Sequence, residues 1–324
     1  SREKMGRISL RIGAPVQPTD KDKIGMEDDL AENDLDTLRP NSTISELAIK
    51  LAQRINDITP ITTASLICTS LLSKFAASKR QIESDVTDLM QIIEVHKHDA
   101  LVDRGRSIGE SVQAALNLLT KAQIFHLQGD GLNARYTISR EHYLQATYYS
   151  NMAVHHLYRR AFIELALLKI KDIEPRQRML SFWTDVMELR DTFKFEFFYS
   201  PKPQFTSEIE ADLNSIDTQW EETIFQTESD VKVLLENQKL LVAPVLLYNY
   251  VEAYRVVAHG LQMWNPNDTL SDEQKFVDFC LLLGEEMHWQ GRIRRIEAVS
   301  KPFLQNGVRL VQNLRLIPDY QDHK

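Results

Sequence analysis

Apolar side chains from Ala161 to Leu168 fall on every side of a helix, interrupted only by Glu164, within the stretch YLQATYYSNMAVHHLYRRAFIELALLKIK that runs from Tyr143 to Lys171. The stretch contains neither Gly nor Pro, and the pattern predicts a single helix of roughly 25 residues enclosed by other elements rather than lying on a surface. Arg160 stands four residues before Glu164, the spacing that lets two side chains pair on one helix face. The rest of the chain has to be packed around this rod.

Strict alternation marks the start of the chain. Ile8, Leu10 and Ile12 alternate with Arg7, Ser9 and Arg11, which predicts a strand with one buried face. Nothing nearby offers that strand a sheet, so its partners are expected upstream, in a longer protein of which this is the C-terminal piece. Residues 14–43 then carry Pro15, Pro18 and Pro40 among eight acids, a composition that buries too little apolar surface to repay ordering and reads as a linker.

Helical periodicity follows. Ser42 or Thr43, with Glu46 at capping-box spacing from Thr43, opens a helix through Asp57; a second is expected from Ile61 to Ala77. Ser78 caps a third, Lys79 to His96, whose Ile82, Val86, Leu89, Ile92 and Ile93 recur at helical spacing, and a fourth runs from Ile108 to Ala122. Gly129-Asp-Gly131 joins two short strands, IFHLQ and ARYTI. Helix, turn, helix, helix and hairpin is the order of a winged helix.

Beyond the central rod, Gln177 to Leu189 reads as helix, and RDTFKFEFFY, Arg190 to Tyr199, alternates Phe193, Phe195 and Phe197 with polar residues as a strand or extended aromatic segment would. That segment suits packing against neighbouring helices, or an aromatic platform for an acyl chain or a partner. Short helices are expected over Glu208 to Trp220 and Glu228 to Asn237, and a long one over Leu240 to Trp264 entered through Pro244. Ser271 caps Asp272 to Leu283, where Gly284 is expected to interrupt.

Charge narrows the function classes. A formal net charge of −8 over 324 residues opposes a general nucleic-acid binder. Residues 61–140, the winged-helix-like part, hold nine Lys or Arg and eight Asp or Glu, and the helix that would enter a groove carries Glu83, Asp85, Asp88 and Glu94. Cys68 and Cys280, far apart in apolar helical contexts, suit buried reduced thiols. No apolar run follows Ser1, and no segment reaches the ~18 apolar residues of a membrane span, so the chain is expected to be soluble with at most peripheral membrane contact. Arg292, Arg294 and Arg295, opened by Gly291, form the best basic patch; they face either anionic head groups or an acidic carrier, or pair with Glu285, Glu286 and Glu297 on a solvated surface.

Three segments carry a family resemblance. The opening GRISLRIGAPV, then ELAIKLAQRINDITPITTASLICTSLL from Glu46 to Leu72, then Tyr148, Tyr149 and Asn151 followed by His155 and a helix containing ELALL are similar, in this order, to the C-terminal half of the membrane-associated bacterial and mitochondrial glycerol-3-phosphate acyltransferases. Ser150 stands where that family carries an arginine. The resemblance implies a parent enzyme, peripheral on the cytoplasmic face of a membrane, that moves an acyl group from acyl-CoA or acyl-ACP to the first hydroxyl of glycerol 3-phosphate in phospholipid synthesis.

The expected fold is accordingly mainly α. Residues 1–13 give the last strand of an upstream α/β acyltransferase domain, 14–43 an acidic linker, 44–140 the helical winged-helix-like module and 141–324 a helical C-terminal bundle. Acyl transfer needs a base for the alcohol proton and a group to steady the oxyanion, which the resembled family supplies upstream through a His-x-x-x-x-Asp dyad and a Pro-Glu-Gly segment. This chain is expected to lack both and to be inactive alone; His126 and Asp130 stand one residue short of the dyad spacing. No catalytic, cofactor-binding or metal-binding residue is expected. His96 and His98 could hold a metal but read as exposed polar surface, and His155 and His156, adjacent on a helix, face different directions. Tyr148, Tyr149, Asn151 and His155 are the candidate contacts to the upstream acyltransferase domain, with no nucleic-acid partner. The alternative is a non-catalytic interaction or winged-helix regulatory module.

Overall fold

The computed structural model describes Ile12, Gly13 and Ala48, then 51–95 apart from 53 and 57, then 106–225, 228–236, 241–264, 273–314 and Leu316. The expected opening strand except Ile12, the acidic linker, the Ser42 or Thr43 cap, His96, His98 and the Ser271 cap lie outside these residues. Ile12 itself is outside any strand and 89% exposed.

The fold is mainly α, with one small sheet. Helix α1 (Thr63–Lys74) starts where the Thr62 hydroxyl accepts from the Ser65 amide and ends where Phe75 turns to φ 62°. The expected helix through Ala77 is therefore shorter. Ala76 and Ala77 instead form strand β1 against Thr137 and Tyr136, because the reversal at Phe75 delivers them to a sheet edge. Helix α2 (Lys79–Val95) opens with Ser78 and Gln81 capping each other reciprocally, and α3 (Ile108–Lys121) with Ser107 and Glu110 doing the same. Strands β2 (Phe125–Gln128) and β3 (Arg135–Ile138) make the hairpin read from the sequence, turned through Gly129 and Gly131 at φ 76° and 57°, and the sheet order is β1-β3-β2. Ile82, Val86, Leu89 and Ile93 are fully buried beneath α1 and α3, so the apolar period of α2 faces inward.

The long rod is two helices. α4 (Tyr143–Asn151) stops at Met152 and Ala153, and α5 (Val154–Ile170) restarts beyond them. No Pro or Gly lies at the break, and Met152 and Ala153 both stay in the right-handed helical region; just before it, the buried Ser150 hydroxyl lies 2.9 Å from the Thr69 hydroxyl, which holds the end of α4 on α1. From His156 to Leu167 α5 is enclosed, with Leu157, Ala161, Phe162, Ile163, Ala166 and Leu167 fully buried, but its last turn opens to solvent at Leu168, 40% exposed, and Lys169.

Helices α6 (Pro175–Thr192), α7 (Lys202–Ile216), α8 (Trp220–Phe225) and α9 (Glu228–Glu236) wrap this axis. The expected aromatic strand is absent: α6 continues through Thr192, and 193–197 turn back so that Phe193 and Phe197 pack inward on Phe162 and Tyr250. Burying those rings outweighs the weak preference of an alternating segment for extended backbone.

The expected helix from Leu240 also divides, at Leu247, into α10 (Ala243–Leu246) and α11 (Tyr248–Met263). With α12 (Glu273–Trp289) and α13 (Lys301–Asn313), α11 builds a second core around Val256, Val257, Phe276, Cys280, Met287, Leu304 and Val308. Gly284 does not interrupt α12. It lies within it because a Cβ there would come 2.8 Å from Val299, so the residue serves close approach rather than termination. At the far end of α12, Gly291 adopts φ 71° while its amide donates to His288 and the Arg292 amide to Met287, a Schellman closure. No atom lies within 4 Å of where a Gly291 Cβ would stand. Gly291→Ala should therefore lose only the conformational term, about 1 kcal/mol, seen as a lower urea midpoint at unchanged slope; no loss would mean the loop has another low-energy path.

Candidate functional site

The four residues expected at a domain interface are divided by the α4–α5 break. On α4, Tyr148 is 71% exposed, as is Leu144 at 58% one turn earlier, and Asn151 is exposed at the helix end. Tyr149 turns inward against the core, its ring edge-on to Tyr148 at 6.2 Å. His155, half-buried on the first turn of α5, has its Nε2 2.9 Å from the Asn56 carbonyl oxygen and so ties the segment containing Asn56 to the central axis. His156 is buried with its ring centroid 4.0 Å from that of His155, so the two imidazoles lie together although they belong to adjacent positions.

Around that tie the surface is apolar. Leu51 and Ile55, in the helical segment that ends near Ile58, are 49% and 54% exposed. A Cβ built on Gly13 would sit 3.2 Å from Ile58 Cγ2, so Gly13 lies against this segment, two residues from Asn56.

Sequence reasoning paired Glu164 with Arg160 and missed its main contacts. The pair exists, Arg160 Nε lying 3.5 Å from Glu164 Oε1. The same carboxylate, fully buried, also accepts from the Val242 amide at 2.9 Å and the Ala243 amide at 2.8 Å, which fastens the start of α10 to α5. Burial pushes the Glu164 carboxyl up to about 7, against the opposing pull of the two amides and Arg160. A lone acid in an apolar helical run was the available signal; its partners stand 78 and 79 residues away.

Glu252 of α11 plays a similar part in the basic patch. Nearly buried, it accepts from the Arg294 amide at 2.7 Å and the Arg295 amide at 2.9 Å. The patch does not divide as expected: among the described residues none of the Arg292, Arg294 and Arg295 side chains pairs with Glu285, Glu286 or Glu297. Arg295 reaches the Val245 carbonyl and covers the Tyr248 ring, Arg292 lies 2.9 Å from His259 Nε2, and Arg294 is exposed.

The two thiols are buried, and burial pushes both Cys68 and Cys280 up to about 12, which keeps them protonated and unreactive at neutral pH. Among the described residues no three His, Cys, Asp or Glu side chains converge to hold a metal ion, and no helix is long and apolar enough to cross a membrane. One expectation about chemistry needs correction from the sequence itself: His98 has Asp103 five residues on, the His-x-x-x-x-Asp spacing, in residues outside those described. No Pro-Glu-Gly occurs anywhere in the chain.

The described residues form a helical scaffold with exposed apolar side chains at Leu51, Ile55, Leu144 and Tyr148 and exposed arginines at Arg292 and Arg294. Proteins carrying the name acyltransferase plsB1 in Mycobacterium bovis and in two strains of Mycobacterium tuberculosis are each 25% identical over 318 residues, 97% of this chain and 50% of theirs. The chain thus spans about half the length of the curated relatives it matches. The family described as the glycerol-3-phosphate acyltransferase C-terminal region matches residues 1–319, and to that family the chain belongs.

Proposed function

We propose that this chain is the helical C-terminal part of a glycerol-3-phosphate 1-O-acyltransferase and braces a separate acyltransferase domain, which takes the acyl group from acyl-CoA or acyl-ACP at a membrane surface. The observation that carries the reading is the family match along residues 1–319 in a chain half the length of its relatives. Supporting it, the apolar side chains of Leu144 and Tyr148 stand exposed on α4, and the His155–Asn56 contact sits beside the point where Gly13 meets Ile58. A catalytic domain attached upstream would arrive at that side and could cover Leu51, Ile55 and Tyr148, gaining on the order of 1.5–3 kcal/mol for each large apolar side chain fully covered.

The test compares the 324-residue chain alone with a longer protein that joins it to a catalytic half, using radiolabelled glycerol 3-phosphate and acyl-CoA. The chain alone should form no lysophosphatidate; the longer protein should, and Leu144→Ser with Tyr148→Ser should reduce its activity about tenfold or more by weakening domain docking. Esterification by the isolated chain, abolished by His98→Ala, would instead place the reacting groups within it. Unchanged activity and stability in the double variant would remove the brace.

A further inference from the structure

Helices α11, α12 and α13 pack chiefly on one another and on α10, which precedes them in the chain. Their apolar side chains close a core of their own, separate from the one around α5. The chain enters this unit at Leu247, where α10 ends and α11 begins, and α10 is itself fastened to α5 through Glu164. The Arg295 bond to the Val245 carbonyl lies beside that entry. Elsewhere the seam is narrow. Among the described residues of 248–314, Tyr250, Tyr254 and Phe303 are the apolar side chains that pack on the first core. Tyr250 meets Phe193 and Phe197 at ring-centroid distances of 6.2 and 5.4 Å, and Tyr254 stacks on Phe193 at 6.0 Å, so the seam is carried by the 193–199 turn.

Glu196 lies in that turn. Half-buried, it accepts from the Tyr254 hydroxyl at 2.7 Å and from the Asn306 side-chain amide at 3.1 Å, so one carboxylate holds both α11 and α13. Asn306 also donates to the Phe195 carbonyl at 3.1 Å. Asp85, Asp212 and Glu164 each have a Lys or Arg nitrogen within 3.5 Å, whereas among the described residues no cation pairs with Glu196. The titratable groups facing it are tyrosines, Tyr254 and Tyr250 of α11 and Tyr199 at the end of the turn, while Lys194 gives its amine to Asn313 of α13. Burial pushes the Glu196 carboxyl above the ordinary 4.5, against the pull of its two donors. Its contribution to the closed seam is complete below 4.5 and is lost as pH rises through the folded value.

We propose that α11–α13 opens as one unit from the rest of the fold, turning at the Leu247 junction, with Glu196 as the latch that closes it on the 193–199 turn. The latch holds best with its proton on and loosens as the carboxylate forms, because an open seam lets water reach the charge. The opening is independent of the bracing role and is tested on the chain alone.

The experiment is hydrogen exchange of the 324-residue chain between about pH 5 and 8, read by mass spectrometry with each rate divided by the chemical rate at that pH. Amides of α11–α13 should exchange faster than those of α1–α3, and their protection should fall as pH rises. Glu196→Gln, uncharged at every pH, should abolish that fall in α11–α13 and leave the one that Glu164 imposes on α5 and α10. Tyr254→Phe should open α11–α13 about tenfold more often, with α1–α3 unchanged. One shared protection for α11–α13 and α1–α3 at every pH, a pH dependence in α11–α13 that survives Glu196→Gln, or a Tyr254→Phe loss spread equally over both regions would each overturn the latch.

Discussion

Glu164→Ala should lower the stability of the chain by about 4 kcal/mol in mildly acidic buffer, one of the two largest effects expected of a single substitution. The change strands two buried amides, those of Val242 and Ala243, each worth about 1–3 kcal/mol when left without an acceptor, and leaves Arg160 beside an empty site. Urea titration should show a lower midpoint with the slope preserved if α10 detaches only on global unfolding. Glu164→Gln should lose less, about 1–2 kcal/mol, because one carbonyl oxygen in the place of Oε2 can accept from both amides, while the side-chain amide then faces Arg160. A loss below about 1 kcal/mol for the alanine variant would show that water replaces the carboxylate at no great cost.

The same residue makes the stability depend on pH with a definite sign. Its carboxyl is raised from the ordinary 4.5 to about 7 in the fold, so the folded chain keeps a proton that the unfolded chain releases in between. The contribution is complete below the unfolded value and is lost as pH climbs through the folded one. The stability gap between wild type and the alanine variant should therefore narrow between about 4.5 and 7. A gap that widens over this range would mean that the carboxylate form is the better bound, with Arg160 outweighing burial.

What could be read from the sequence depended on whether the deciding interactions were local. The buried period of Ile82, Val86, Leu89 and Ile93, the Ser78 cap and the glycine-turned hairpin are set by neighbours within a few positions, and each stands as read. The break at Met152 stands beside a hydroxyl contact between Ser150 and Thr69, 81 residues apart, and nothing at 152 or 153 announces it. Gly284 shows the converse: a residue that reads as a stop lies mid-helix because Val299 approaches it from another element. The candidate interface was legible as a cluster of names and not as a surface. Tyr148 and Tyr149 are adjacent in sequence, yet one faces solvent and the other the core, and only the direction of α4 on α1 decides which.

The aromatic segment after α6 leads to the second large effect. Phe162, fully buried on α5, has ring centroids of Tyr158 at 5.7 Å, Phe193 at 5.8 Å, Tyr199 at 6.3 Å and Phe197 at 6.5 Å around it. Phe162→Ala should cost about 3–5 kcal/mol, the transfer term plus a cavity that stiff rings cannot collapse to fill. Phe162→Leu, which restores most of the volume without the ring contacts, should cost less than half as much. These numbers also bear on what the segment does. Phe193 and Phe197 are 2% and 7% exposed, so neither ring offers a flat face to an acyl chain and both pack inward, while Phe195 is half-buried beneath Lys194. Phe197→Leu should lower the urea midpoint through its lost contacts with Phe162 and Tyr250; an unchanged midpoint would show that the ring contributes nothing to the core. Phe162 and Glu164 lie two positions apart on one helix and hold different elements, the 193–199 turn and the start of α10, so their losses should add when combined. A double variant markedly more stable than the sum would show that both elements dock on α5 as one unit.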